Sequence, residues 1–164
     1  MKRTPIIGVM GGGNADFGTL KEAEKLGGMI AEKGWILLNG GRCTGIMEAT
    51  SKGAYEKGGL TVGILPESNT DNMSQYVRIP IATGMGHARN TINILSSDVV
   101  VACPGGAGTL SEIALSIKCN KPLILFAFNP ESDLSILMKN QGIFLAHKPE
   151  DVILKIEELI DGVS

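Results

Sequence analysis

Four segments of this 164-residue chain end apolar runs in glycine: GGGNAD at 11–16, NGGRCTGIMEA at 39–49, TGMGHARN at 83–90 and PGGAGTLSE at 104–112. Glycine lets backbone N–H groups approach an anion closely, and a helix that starts there adds its own unpaired N–H groups. The last segment carries the fullest set. Gly105, Gly106 and Gly108 allow close approach, and the Thr109 hydroxyl adds a donor, a combination suited to phosphate. His87 and Arg89 fall in what should be the first turn of a helix, where the macrodipole makes a cation cost up to about 1 kcal/mol. Glu112 or a bound phosphate would compensate. Plainer readings stand beside these: Thr109 and Glu112 have capping-box spacing, Arg89 could be a solvated surface arginine, and His87 could simply satisfy neighbouring backbone.

The common nucleotide motifs do not fit. The first turn is GGGNAD and not G-x-G-x-x-G, and the second strand ends in Asn39, Gly40 and Gly41 without a ribose-binding acid, which disfavours NAD. Gly-Lys occurs nowhere, so there is no P-loop, and no G-x-S-x-G elbow makes Ser111 a nucleophile. The 15 basic and 17 acidic residues sum to −2, which removes the cationic field of a nucleic-acid or membrane-coating protein. No apolar run approaches the roughly 20 residues that cross a bilayer, and the N-terminal MKRTPIIGVMGGG lacks a secretory h-region. A cytoplasmic location is expected. Three cysteines, Cys43, Cys103 and Cys119, match neither a zinc site nor a redox pair, and no metal site is expected. Cys103 sits on the glycine-bearing rim but reads best as a packed thiol.

The elements that must position these residues alternate regularly. Strands are expected at 5–10, 35–39, 60–65, 77–82, 98–103 and 122–126, with a weaker seventh at 143–146. Helices are expected from a Thr19–Glu22 capping box to Gly34, and over 45–57, 86–96, 107–118, 132–140 and 149–161. This alternation predicts an α/β fold, a doubly wound, mainly parallel sheet of six or seven strands with helices on both faces, in a single domain over 1–164. The polar stretch 66–76 reads as a mobile flap over the sheet edge. In such a sheet the strand ends form the ligand crevice. Apolar residues all round 92–95 and 113–117 predict a homodimer or higher homo-oligomer.

PGGAGTLSE, with HARN at 87–90 and GG followed by GIMEA at 40–49, resembles the Lonely Guy superfamily over about Ile6 to Phe126. That superfamily includes cytokinin riboside 5′-monophosphate phosphoribohydrolases, often labelled possible lysine decarboxylases, and molybdenum-cofactor carrier proteins. The resemblance implies a Rossmann-like fold in which Gly105, Gly106, Gly108 and Thr109 cradle a 5′-phosphate, and Gly11, Gly12, Gly13, Gly40 and Gly41 face the nucleoside. It further implies that Arg89 and Glu112 are the reacting pair of a hydrolase that releases free base and ribose 5-phosphate from a nucleoside 5′-monophosphate. No cofactor is required in that reading; a small phosphorylated ligand, a nucleotide or molybdenum cofactor, is the expected partner. The chain departs from the plant-type pattern. Asn90 stands where those hydrolases have lysine, and Glu48 puts a carboxylate near the nucleoside side. HARN, GIMEA and LSEIAL look more like the carrier branch, so the alternative is a non-catalytic carrier of molybdenum cofactor or a related phosphorylated metabolite.

Overall fold

The computed structural model describes residues 3–128 and 142–162. The helix expected at 132–140 lies outside the described residues. Among the described residues seven strands form one parallel sheet: β1 (Ile6–Met10), β2 (Ile36–Asn39), β3 (Thr61–Leu65), β4 (Ile79–Ala82), β5 (Val99–Ala102), β6 (Leu123–Phe126) and β7 (Ile143–Ala146). The α-helices among the described residues are α1 (Phe17–Glu32), α2 (Gly45–Glu56), α3 (Asn90–Ser96), α4 (Ala107–Lys118) and α5 (Pro149–Asp161), the last following β7. Central strands such as β5, VVVA, are buried at every position because helices cover both faces. On one face α1, α2 and α5 pack over Ile7, Val9, Leu37, Val101 and Phe126. On the other, Ile94 of α3 and Ile113 of α4 pack over Met10, Leu38, Val100 and Leu125. None of these helices is long and apolar enough to cross a membrane.

Strand order is β4-β3-β2-β1-β5-β6-β7. The chain starts in the middle at β1, builds outward to β4, then returns to the other side of β1 as β5. The connections leaving β1 and β5 therefore run to opposite faces, which opens a crevice at the carboxyl ends of these neighbouring strands.

Local differences from the sequence reading have physical causes. Helix α1 begins two residues before the Thr19–Glu22 box because Asp16 caps it: its carboxylate accepts from the Thr19 backbone N at 3.0 Å and from Thr19 Oγ1 at 2.6 Å. The charged acceptor outcompetes the hydroxyl for the free N–H groups. The helix expected over 86–96 is divided into a 3-10 turn, Gly86–Arg89, followed by α3. The stretch 66–76 is laid on the loop after β2, where Ser74 N donates to Gly41 O at 2.8 Å and Cys43 N donates to Asn72 O at 3.2 Å. Its polar residues reflect exposure, and these backbone bonds hold it where a mobile flap was expected. Helices α1 and α2 cross closely; a Cβ on Gly53 would stand 1.8 Å from Glu24 O, so no other residue fits.

Candidate functional site

A cleft of about 280 Å³ opens at the carboxyl edge of the sheet, between the loops that leave β1 and β5. Gly11, Gly12 and Gly13 form the β1 side; Gly106, Gly108 and Thr109 form the β5 side. The two loops are tied by a bond from Gly12 N to Pro104 O at 3.1 Å. Gly40 comes from the β2–α2 connection, Met47 from the first turn of α2, Arg89 from the end of the 3-10 turn, Asn90 from the start of α3, and Glu112 from α4.

Helix α4 begins at Ala107 with Gly106 as its N-cap and no side-chain capping bond. Thr109 and Glu112 are therefore the third and sixth helical residues, which removes the capping-box reading. Without a cap, the first-turn N–H groups are left for another acceptor. A Cβ at Gly106 or Gly108 would meet nothing within 4 Å, so these two glycines face open space. Gly105 differs: a Cβ there would stand 2.2 Å from Thr109 Oγ1 and 2.7 Å from Gly12 N. Glycine at 105 lets the β5 loop pass close to Thr109 and the β1 loop. Gly41, unlike the exposed Gly105, is buried, in the left-handed region at φ +75° with its Cβ position 2.9 Å from Gly63 Cα, and it is off the wall. Glycine presses on the Arg89 guanidinium at position 40, where a Cβ would come 2.5 Å from Nη1.

Arg89 is no solvated arginine. Its Nη1 donates to Gly40 O at 2.7 Å and to Ile64 O, the carbonyls at the ends of β2 and β3. Burial lowers its pKa; Glu112 opposes that and Arg42 adds to it. Glu112 is 7% exposed, and its Oε1 accepts from Asn93 Nδ2 at 3.0 Å. Burial pushes its carboxyl above the usual glutamate range, against the Asn93 bond and the Arg89 charge. The cation is thus held by neutral carbonyls, and the carboxylate by a neutral amide. Neither neutralises the other through a direct ion pair among the described residues, so both charges remain available to a ligand.

At the rim Arg42 pairs with Glu67 at 3.0 Å, and His87 is exposed. Asn90 donates to Ser111 Oγ at 3.0 Å, and that hydroxyl donates to Gly108 O at 2.7 Å, which fastens the start of α3 to the start of α4. Glu48 is not on the wall; its neighbour Met47 is. Cys103 is fully buried and its thiol is pushed up to about 12, so it packs and does not react. Sequence reasoning passed over Asn93, Met47 and Arg42. Asn93 was within reach of a periodicity argument, since it lies four residues after Arg89 and so shares a helical face with it.

A profile of the SLOG cluster4 family matches residues 4–153. The chain belongs to that family. Its SLOG cluster4 membership agrees with the Lonely Guy resemblance carried by PGGAGTLSE. The fold matches the molybdenum cofactor binding protein of the phototrophic bacterium Rippkaea orientalis with a TM-score of 0.92 and 51% identity, covering 98% of this chain and 99% of that one. It matches the molybdenum cofactor carrier protein of Chlamydomonas reinhardtii with a TM-score of 0.89 and 40% identity, covering 97% and 99%. A cytokinin riboside 5′-monophosphate phosphoribohydrolase of Rhodococcoides fascians is 32% identical over 119 residues, 66% of this chain and 56% of that protein. The match thus spans little more than half of the hydrolase.

Proposed function

We propose that this SLOG cluster4 protein binds a phosphorylated small molecule, a nucleotide or a pterin phosphate of the molybdenum-cofactor kind, and holds it as cargo. The observation that carries the reading is the uncapped start of α4, whose N–H groups lie beside two glycines open to empty space, in the cleft that also contains Arg89. The phosphoryl group sits on these N–H groups with Thr109 beside it, and the Arg89 guanidinium supplies the positive charge. Gly11, Gly12, Gly13, Gly40 and Met47 then face the heterocycle. The full-length likeness to two cofactor-binding proteins supports a carrier.

One observation favours a second reading. Glu112 shares the cleft with Arg89, and a carboxylate there can take a proton from water as it adds to the ribose carbon that loses its base. The products are the base and ribose 5-phosphate. Incubation with a panel of nucleoside 5′-monophosphates separates the two. Thermal stabilisation without base release supports the carrier; release that Glu112→Gln abolishes establishes the hydrolase. Absence of stabilisation by any phosphorylated compound overturns both, because a ligand at 100 times its Kd must add about 2.7 kcal/mol to the folded state.

We also infer a homo-oligomer. Leu95 of α3 and Leu110 of α4 are 56% and 49% exposed on the two helices of one face, while Ile94 and Ile113 beside them fill the core. Leu95→Glu should halve or quarter the mass measured by light scattering; an unchanged mass speaks against this face.

A further inference from the structure

The Glu112 carboxyl reaches from α4 toward α3, and among the described residues Asn93 alone donates a hydrogen bond to it. Asn93 is completely buried. The other end of its amide, Oδ1, is also buried and has no partner. A buried amide oxygen left unpaired is costly, and a leucine would fill similar space without that cost. The helix's own need at this position is met by the main chain, since Asn93 O accepts from Ser97 Oγ at 2.7 Å whatever the side chain. The carboxamide therefore has one evident task, which is Glu112.

We propose that Asn93 is a positioning residue: its carboxamide holds the Glu112 carboxyl at the cleft wall in both charge states, giving Nδ2–H to the carboxylate and, turned over, offering Oδ1 to the protonated acid. This rests on the reading of the cleft as a ligand site and adds to it a means of moving a proton at Glu112 without displacing the side chain. The unpaired Oδ1 is the half of the device that is idle while the carboxylate is ionised. Among the described residues the charge acting on Glu112 is that of Arg89, from the 3-10 turn. The same cleft is lined by the exposed His87 of that turn and by Arg42 of the loop after β2, already paired with Glu67. The β1 loop contributes only glycines at the wall, and α3 has no charged residue.

The test is a carbon-13 NMR titration of the Glu112 carboxyl in the ligand-free protein. Asn93→Leu removes a bond from each charge state, and because the one to the ionised carboxylate is the stronger, the midpoint should rise by about one pH unit. Asn93→Asp adds a like charge and should raise it further. In the unaltered protein the Asn93 side-chain amide resonances should move with the same midpoint as the Glu112 carbon. A midpoint unchanged in Asn93→Leu, or amide resonances flat through the titration, overturns the proposal. Should Asn93→Leu fail to fold, Asn93→Ser and the amide measurement on the unaltered protein decide. Calorimetric titrations of the same samples with inorganic phosphate and AMP test the cleft separately. An unaltered protein that binds neither refutes the ligand reading, whereas the carboxyl titration still judges Asn93.

Discussion

The same sheet carries an arginine and a carboxylate at each of its two ends, and the two sets are used differently. At the amino end Arg3 donates from Nη1 to Asp98 Oδ2 at 2.8 Å and pairs through Nη2 with Oδ1, and Ile6 N donates to Asp98 as well at 2.8 Å. Burial works against that carboxylate, but the bonds from Arg3 and Ile6 hold it below the usual range. At the carboxyl end Arg89 is fixed by two carbonyls and Glu112 by one amide, and burial holds the Glu112 carboxyl above its usual range. The first set neutralises itself and secures the start of β1 against β5. The second keeps two held but unneutralised charges beside open backbone N–H groups. Charge that is positioned by neutral partners remains free to act on a ligand.

The contrast can be broken most sharply at Gly106. Replacement by Leu puts a side chain into space that the protein leaves empty, so AMP or phosphate affinity should fall by roughly 100-fold or more, about 2.7 kcal/mol, with the melting temperature almost unmoved. Calorimetry beside a thermal melt gives both numbers, and retained affinity would remove the α4 cradle from the site. Arg89→Met comes next. Binding should weaken by roughly 10- to 100-fold, and stability should drop by about 1–3 kcal/mol because the Gly40 and Ile64 carbonyls lose their donor.

At the other end Asp98→Ala should cost about 1–2 kcal/mol in urea unfolding, mostly through the Ile6 amide, since Arg3 is largely exposed, and ligand affinity should not change. The smallest effect has the opposite sign. Glu112→Gln removes a buried charge and should stabilise the ligand-free protein by about 0.5–2 kcal/mol at neutral pH. The two carboxyls also pull apart with pH. Asp98, lowered in the fold, contributes stability that is present above its unfolded pKa of about 3.9 and disappears as pH falls through its folded value. Glu112, raised in the fold, makes stability fall as pH climbs from about 4.3 through its folded value. The Glu112→Gln gain should therefore shrink toward acid pH. A Glu112→Gln protein less stable than the unaltered one would erase the distinction between the two ends.

Much of this was legible from residue types. Strand runs were placed within one or two residues, at the centre because burial on two faces demands continuous apolar stretches, and at the edge strand β4 through the apolar run IPIA although three of its four residues are exposed. Glycines 105, 106 and 108 were expected to cradle a phosphate and Gly41 to face the nucleoside; a Cβ at 106 or 108 would meet open space, whereas at 105 it would meet Thr109 and at 41 Gly63. A glycine that approaches backbone and one that approaches a ligand look alike in sequence. Thr109 and Glu112 had capping-box spacing, but the helix starts at Ala107, as the 107–118 expectation had it, so Glu112 lies a turn too deep to cap.

By itself the sequence determined the alternation of strand and helix, the uncommitted glycines at the strand ends and the presence of one arginine and one glutamate among them, since these follow from local pattern and side-chain chemistry. Which strands are neighbours, and hence that the β1 and β5 loops open the cleft, was decided only by the tertiary structure. So was the pairing of Glu112 with Asn93 and of Arg89 with the β2 and β3 carbonyls. Those relations depend on long-range packing across the sheet, where residues 25 and 49 positions apart in the chain come within hydrogen-bond distance.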